Sequence, residues 1–246
     1  MPYILLILGV VVWIFLLPRQ RQLSPRLVDA ITVFGGAFLL GSCFINLVPH
    51  IYVDGFTTPS GHIKLGLSVL VGFLIQILLE LLTHGVEHGH HHPHHDNHAP
   101  IPLTGLMVGL CIHAFLEGVP LAHADGDIHT GLLYGILLHN IPISLVLVSL
   151  FASRQLSTFK AFLLLLLFAI MTPLGSLCGI TFLGDDATLR ALSMGLVVGI
   201  LLHVSVSILF VNEDNRTDWW RVLLIVLAFV AAYFTPGCPE IYNTLV

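Results

Sequence analysis

The stretch that decides the fold is IPLTGLMVGLCIHAFLEGVPLA, residues 101–122, an apolar run in which only His113 and Glu117 are ionisable. About 20 apolar residues in a helix cross the roughly 30 Å of hydrocarbon in a bilayer, so the run predicts a membrane span. An ionisable side chain at that depth costs a few kcal/mol, which makes both residues functional candidates by default. They stand four apart, on one helix face and about 6 Å apart along the axis, a spacing that suits chelation.

The rest of the chain repeats this apolar pattern from end to end. Hydrophobic residues make up 56% of it and Asp, Glu, Lys and Arg only 9%, against roughly 25% charged residues in a soluble domain. This composition excludes a water-soluble surface, and continuous runs without period-two alternation favour helices over barrel strands. We predict an all-α membrane protein in which residues 1–246 form a single transmembrane domain of eight helices. The predicted spans are Pro2–Leu17, Leu27–Ile51, Leu65–Leu82, Ile101–Ala122, Gly131–Phe151, Phe159–Phe182, Leu189–Val211 and Trp219–Phe234.

Loop charges predict the orientation, because cytoplasmic loops carry the excess of Lys and Arg. The asymmetry among the nine Lys and Arg residues puts both termini outside a plasma (inner) membrane and supports an even number of spans. The lipid bilayer is then a partner, whereas a net charge of -5 without a basic face predicts no nucleic-acid partner. The cytoplasmic group is Arg19, Arg21, Arg26, Arg154, Lys160, Arg216 and Arg221, and the outside group is Lys64 and Arg190.

Two loops are rich in histidine. The loop at 83–100 contains HGVEHGHHHPHHDNH and is cytoplasmic in this topology. Such a composition predicts disorder, and the tract either buffers metal weakly and promiscuously or is a low-complexity spacer. The outside loop HADGDIH, residues 123–129, either collects cations or forms a polar turn. The buffering candidates in the cytoplasmic loop are His88, His90, His91, His92, His94 and His95.

Span five adds a third ionisable group, His139, followed by Asn140 and by Pro142, which loosens the helical hydrogen bonding. Counted at 1.5 Å per residue from the cytoplasmic side, His113 and His139 lie near 18 Å and Glu117 near 24 Å, so all three share one slab of the bilayer. Two imidazoles and a carboxylate suit zinc and leave a fourth position open, although iron, manganese, cobalt and cadmium accept the same ligands. The alternative is an interhelical hydrogen-bond network with a protonated Glu117.

Polar residues in other spans predict a metal pathway. Asn46 and His50 lie toward the outer end of span two, where they form an entry step or cap the helix. Gln76 and Glu80 lie near the inner end of span three, where Glu80 either passes metal to the histidine loop or is solvated at the interface. His203 lies deep in span seven and is either a ligand or a packing hydrogen bond.

Several of these segments resemble the ZIP family of divalent-metal transporters, in the right order along nearly the whole chain. HAFLEG at His113–Gly118 resembles the fourth-span HxxxEG pattern, and HNIP at His139–Pro142 resembles the fifth-span His/Gln-x-x-Pro pattern. MTPLG at Met171–Gly175 and the GAFL and LVP motifs within Gly36–Pro49 resemble the sixth-span and second-span signatures. The resemblance implies an inverted 3+2+3 repeat, with spans four and five as the transport element, in a carrier that is often a homodimer.

The resemblance also implies roles for individual residues. By position, His113 and Glu117 match primary metal ligands, and His139 matches a ligand position that is Gln or His elsewhere in the family. Asn140 is the fourth predicted metal-site residue, and it is what remains here of the family's second site. The divalent ion is then the transported substrate and not a cofactor, and the protein is not an enzyme.

Three positions depart from the family pattern. Ala114 stands where a second-site Asn or Asp is frequent, Ile143 where a bridging Glu often follows the fifth-span proline, and Thr172 replaces a Glu of two-metal members. We therefore expect one metal ion. With one carboxylate and two neutral imidazoles, a divalent ion keeps a net charge of +1 in the membrane, which predicts weaker or more hydrated binding.

The sequence predicts a transporter that moves a divalent transition metal, zinc first among them, into the cytoplasm by alternating access around His113, Glu117 and His139. One alternative is an efflux carrier, although such exporters typically have six spans and a soluble domain. A membrane metalloenzyme would need more histidines within its spans or an HExxH motif. A metal sensor that binds without transport is the third alternative.

Overall fold

The computed structural model describes residues 2–19, 24–54, 59–83, 103–122, 128–184, 186–210 and 219–235. Within these residues the chain is helical, and its only β contact is an isolated bridge between Ala122 and Ile128. The α-helices are α1 (Pro2–Val11), α2 (Pro25–Ser42), α3 (Val48–Asp54), α4 (Pro59–Thr83), α5 (Leu103–Gly118), α6 (Thr130–Ser153), α7 (Thr158–Leu183), α8 (Ala187–Phe210) and α9 (Trp219–Phe234). A 3-10 helix, Val12–Arg19, extends α1, and a π-helical turn, Cys43–Leu47, joins α2 to α3.

Apolar helices account for all eight predicted spans. Five are long and apolar enough to cross a membrane, and three are shorter. The prediction of a helical membrane protein is therefore confirmed. The five long stretches are Arg26–Tyr52, Ser60–Leu82, Thr130–Ser153, Thr158–Leu183 and Ala187–Phe210, and the shorter ones are Pro2–Phe15, Leu103–Gly118 and Trp219–Phe234.

Three pairs of helices pack closely and run in the same direction: α4 with α8, α5 with α7, and α2 with α9. In the first pair, Ser68 lies against Gly195 and Phe73 against His203, so positions advance together along both helices. In the α5·α7 pair, the matching contacts join Phe115 to Gly175 and Val119 to Gly179. In the α2·α9 pair, they join Asp29 to Arg221 and, just beyond α2, Asn46 to Ala232.

Glycine permits two of these close crossings. A Cβ on Gly72 would overlap the carbonyl oxygen of Leu196, and a Cβ on Gly118 would overlap the carbonyl oxygen of Thr172. Small residues let membrane helices approach closely, which matters because van der Waals packing replaces the hydrophobic effect as the force between helices in lipid. Backbone contact therefore joins α4 to α8 and α5 to α7.

The first and last described helices start and finish at the same end of the bundle. The Tyr3 hydroxyl at the start of α1 lies 2.9 Å from Ser176 Oγ, late in α7, and Ala232, late in α9, accepts a hydrogen bond from Asn46, late in the second span. An even number of crossings requires this arrangement. We call this end, where α4, α6 and α8 also begin, the predicted outer end, and we call the opposite one the predicted inner end.

Two prolines affect the limits of the helices. Span four was expected to continue to Ala122, but α5 ends at Gly118, because Pro120 has no N–H and its ring disfavours helical geometry at the residue before it. In the second span, Pro49 also lacks a donor, and the π-helical turn Cys43–Leu47 lies just before it.

Candidate metal centre

The first two side chains of the centre come from α5. Four residues advance an α-helix by about one turn, so His113 and Glu117 project from the same face. His113 Nε2 lies 3.0 Å from Glu117 Oε1, and both side chains are fully buried. Since Ala114 beside them packs in an apolar cluster, the polar face of this helix is narrow, and one of the neighbours that it meets completes the cluster.

That neighbour is α6, which contributes His139. Its Nε2 atom lies 3.2 Å from His113 Nε2 and 3.6 Å from Glu117 Oε1. Pro142, inside α6, cannot donate to the carbonyl of Leu138 as an ordinary helical residue would. Gly35 of α2 packs against that carbonyl. The helical turn that contains His139 and Pro142 is therefore also the place where α2 crosses α6 closely.

The three donor atoms are spaced as ligands of one tetrahedral ion. A Zn–N bond of roughly 2.0–2.1 Å in tetrahedral geometry puts neighbouring donors about 3.3 Å apart. The three separations among His113 Nε2, His139 Nε2 and Glu117 Oε1 are 3.0, 3.2 and 3.6 Å. The predicted His/Glu/His group therefore exists as a buried cluster with the donor set and spacing for a divalent transition metal.

The sequence does not identify Gln76 as a site residue, because it predicts only a position near the inner end of the span, together with Glu80. In the structure Gln76 is fully buried in α4, and its Oε1 lies 2.8 Å from His113 Nδ1. An amide oxygen can only accept, so this geometry assigns the Nδ1 proton to His113 and leaves Nε2 available as the metal-binding atom. The only signal in the sequence is a lone amide in an apolar run.

A family model described as ZIP zinc transporter matches residues 104–234, more than half of the chain. The match begins in α5, ends in α9 and includes all three residues of the cluster. The chain belongs to the ZIP family. No curated protein sequence matches it. Membership and the apolar helices make this ZIP protein an integral membrane transporter of divalent metal ions, which are its substrate. ZIP proteins are transporters and not enzymes.

The three positions that depart from the two-metal ZIP pattern are all buried. Ala114 and Ile143 belong to one hydrophobic cluster built from α1, α5, α6 and α7, and both are buried. Thr172 is buried in α7, where its carbonyl oxygen packs against Gly118. No carboxylate stands at these three positions to hold a second ion beside the first.

Asn140 follows His139 in α6 and is buried. Its Oδ1 atom has no hydrogen-bond partner among the described residues, while its backbone carbonyl accepts a 2.6 Å hydrogen bond from the Ser144 hydroxyl. The structure records no contact between its side chain and the three clustered ligands among the described residues, so its role as a metal ligand remains a prediction.

The two outer pathway candidates have different surroundings. Asn46 Nδ2 donates a 3.3 Å hydrogen bond to the carbonyl of Ala232, so this side chain ties the π-helical turn to α9. His50 is nearly buried in α3, and its ring lies edge to face with that of His129, with centroids 4.5 Å apart. Asn46 therefore has a structural contact, whereas His50 has a second imidazole beside it.

The inner pathway candidates pair with each other. His203 Nε2 in α8 lies 3.5 Å from Glu80 Oε2 in α4, and the Phe73 ring packs against the imidazole. Glu80 stands four residues after Gln76 on the same helix, so polar groups continue from the buried cluster toward the predicted inner end. The buffering candidates His88, His90, His91, His92, His94 and His95 lie outside the described residues.

Proposed function

We propose that this ZIP protein imports a divalent transition metal, with zinc as its main cargo, by alternating access around His113, Glu117 and His139. The observation that carries the proposal is the tetrahedral spacing of three buried donors from two adjacent helices. The apolar surroundings of Ala114 and Ile143 support one bound ion instead of two.

The pairing of helices supports an inverted repeat, on which alternating access would depend. An inverted repeat would make α1 equivalent to α7, α2 to α8, α4 to α9 and α5 to α6. Under that equivalence, the α4·α8 contact should recur as α2·α9, and the α5·α7 contact should recur as α1·α6. All four helix pairs are in contact. Transporters with inverted repeats open alternately to either side by rocking one group of helices against another. The repeat makes α5 and α6 equivalent to each other, so a metal site between them lies at the centre of the symmetry. Such a position agrees with this mechanism.

Polar residues mark a proposed route for the ion through the bundle, with histidine at both ends. We propose that an ion enters at His50, binds the central cluster and leaves past Glu80 and His203 toward the histidine-rich loop at 83–100. That loop would accept the ion weakly and release it to the cytoplasm. The proposed direction rests on the loop-charge orientation, with both termini outside.

Uptake by purified protein in liposomes tests the proposal. Zinc, iron, manganese and cadmium should enter vesicles containing the wild-type protein, and His113→Ala, Glu117→Ala and His139→Ala should each lose uptake at matched protein levels. Ile112→Ala is the matched control, because this neighbour of His113 is exposed at the surface of the bundle, away from the cluster.

Three outcomes would contradict the proposal in different ways. Unchanged uptake in all three ligand variants would remove the central site from the transport path. Metal binding without any wild-type flux would favour the sensor. Net flux only from the predicted inner to the predicted outer side, in vesicles of known protein orientation, would favour the efflux carrier.

A further inference from the structure

A cavity of about 260 Å³ lies at the predicted outer end of the bundle. It is bounded by the middle of α3, the turn after α5, the residue before α6, the end of α7 and the start of α8. Its titratable lining consists of His50, His129 and Arg190, and apolar residues such as Leu183 and Met194 complete the wall. The volume far exceeds the ~10–15 Å³ that a single water needs, so a hydrated ion has room.

We infer that His50 and His129 form a second metal site, at which the transporter acquires a divalent transition metal before the ion reaches the central cluster. This inference rests on the proposed function for its purpose, and on the cavity for its geometry. The two rings meet edge to face with centroids 4.5 Å apart, close enough for one nitrogen from each to bind a single ion. Waters in the cavity complete the coordination shell, as borderline ions with nitrogen ligands allow.

Arg190 limits how tightly this site binds. Its Nε and Nη2 groups both donate to the carbonyl oxygen of Gly184, which holds the guanidinium against the cavity wall. The positive charge still repels a divalent cation, and the site contains no carboxylate among its described lining residues. Weak binding suits an entry step, because an ion held too tightly would not move on to His113 and Glu117.

The position of the histidine pair also fits an entry step. His129 directly precedes α6, and His139 lies ten residues later on that helix. An ion that leaves the cavity along α6 therefore moves toward a residue of the central cluster.

Equilibrium zinc binding by the full chain tests the inference without transport. The background carries His113→Ala and Glu117→Ala, with serine replacing every histidine of segment 84–98. We expect one zinc equivalent in this protein. His50→Ala with His129→Ala should raise its dissociation constant at least about tenfold, the equivalent of roughly 1.4 kcal/mol, whereas Arg190→Gln should lower it.

His62→Ala is the matched control, since this outer histidine contacts Tyr52 and does not line the cavity. An unchanged zinc affinity after removal of His50 and His129 would overturn the inference. If the double-alanine background does not fold, the same variants are compared with the central site intact, where the inference requires the loss of one of two zinc equivalents.

Cysteine substitution gives a second test, which distinguishes a shared metal site from a purely structural role of the two imidazoles. His50→Cys with His129→Cys should bind cadmium with a thiolate charge-transfer band larger than the sum of the two single variants, because both sulfurs reach one ion. An additive band would contradict the shared site. Zinc binding at His50 and His129 in a protein that transports no metal would refute the proposed import, but it would still support a metal site at these two histidines.

Discussion

The hydrogen bond at Nδ1 of His113 determines which nitrogen of that ring is available to bind a metal ion. Gln76 holds it from another helix, 2.8 Å away and without exposure to solvent. Groups that orient a ligand histidine are typically worth 10–100-fold in metal affinity. We therefore propose Gln76 as a positioning residue, which would act on a bound ion through His113.

Replacing Gln76 with leucine should weaken zinc binding by roughly 10–100-fold, because the imidazole loses the acceptor that fixes its tautomer and orientation. Gln76→Glu keeps an acceptor oxygen at this position and should retain most of the affinity. Zinc titration of the loop-histidine-free protein measures both. Equal zinc affinities in wild type and Gln76→Leu would show that His113 does not need this contact.

Among the described residues, Glu117 supplies the only carboxylate in the central cluster. Glu117→Gln keeps the size of the side chain but removes the charge, so zinc bound at the central cluster should stabilise the protein much less. In the wild type, zinc at 100 times its dissociation constant should add about 2.7 kcal/mol to the free energy of unfolding. Thermal unfolding with zinc and with a chelator measures the difference. A full zinc-dependent shift in the Gln variant would contradict this role.

At this scale, the sequence predicted contacts within one helix better than contacts between helices. The four-residue spacing of His113 and Glu117 is a property of any α-helix, and the depth count correctly brought His139 to the same level. The partner of Gln76 depends on how α4 crosses α5, and the bond from Asn46 to Ala232 depends on how α2 meets α9. Neither crossing is visible in a single sequence.

At the scale of elements, the glycine-lined crossings explain how these apolar helices choose their partners. In lipid the apolar faces of all helices are equally well solvated, so close backbone approach and buried polar contacts select the pairs. The α2·α9 pair adds an ion pair between Asp29 and Arg221, whose closest atoms lie 2.5 Å apart. The length of α5 was misjudged because Pro120 ends the helix inside a run that remains apolar.

A methyl group at Gly72 should separate α4 from α8. Gly72→Ala should destabilise the protein by about 1–3 kcal/mol, the usual cost of overpacking, since the new Cβ would overlap a backbone carbonyl that cannot move alone. Gly66→Ala in the same helix is the matched control, because nothing lies within 4 Å of its added Cβ. Denaturant unfolding in detergent compares them, and equal stabilities would contradict the proposed crossing.

At the scale of the whole molecule, we predict that the charge of the metal-loaded site couples transport to the membrane potential. A divalent ion with Glu117 and two neutral imidazoles has a net charge of +1. Each charge that crosses the membrane is worth about 2.3 kcal/mol per 100 mV. An inside-negative potential should therefore accelerate zinc uptake into vesicles in which the predicted outer end faces outward.

Potassium gradients with valinomycin set the potential in that experiment, and the initial rate of zinc uptake is the measurement. Vesicles with no gradient and vesicles with an inside-positive potential are the controls. Uptake rates that ignore the sign of the potential would mean that compensating charges accompany the ion or that the loaded state is neutral.

The outer end of α5 lies at Gly118, four residues before the predicted end of its span, which is about 6 Å along a helix axis. With the 260 Å³ cavity beyond its end, water would reach below the outer lipid headgroups, and the electric field would be focused across a thinner insulating layer. An ion in the cavity would then stand at nearly the external potential, so the steps beyond His50 and His129 would carry most of the voltage dependence.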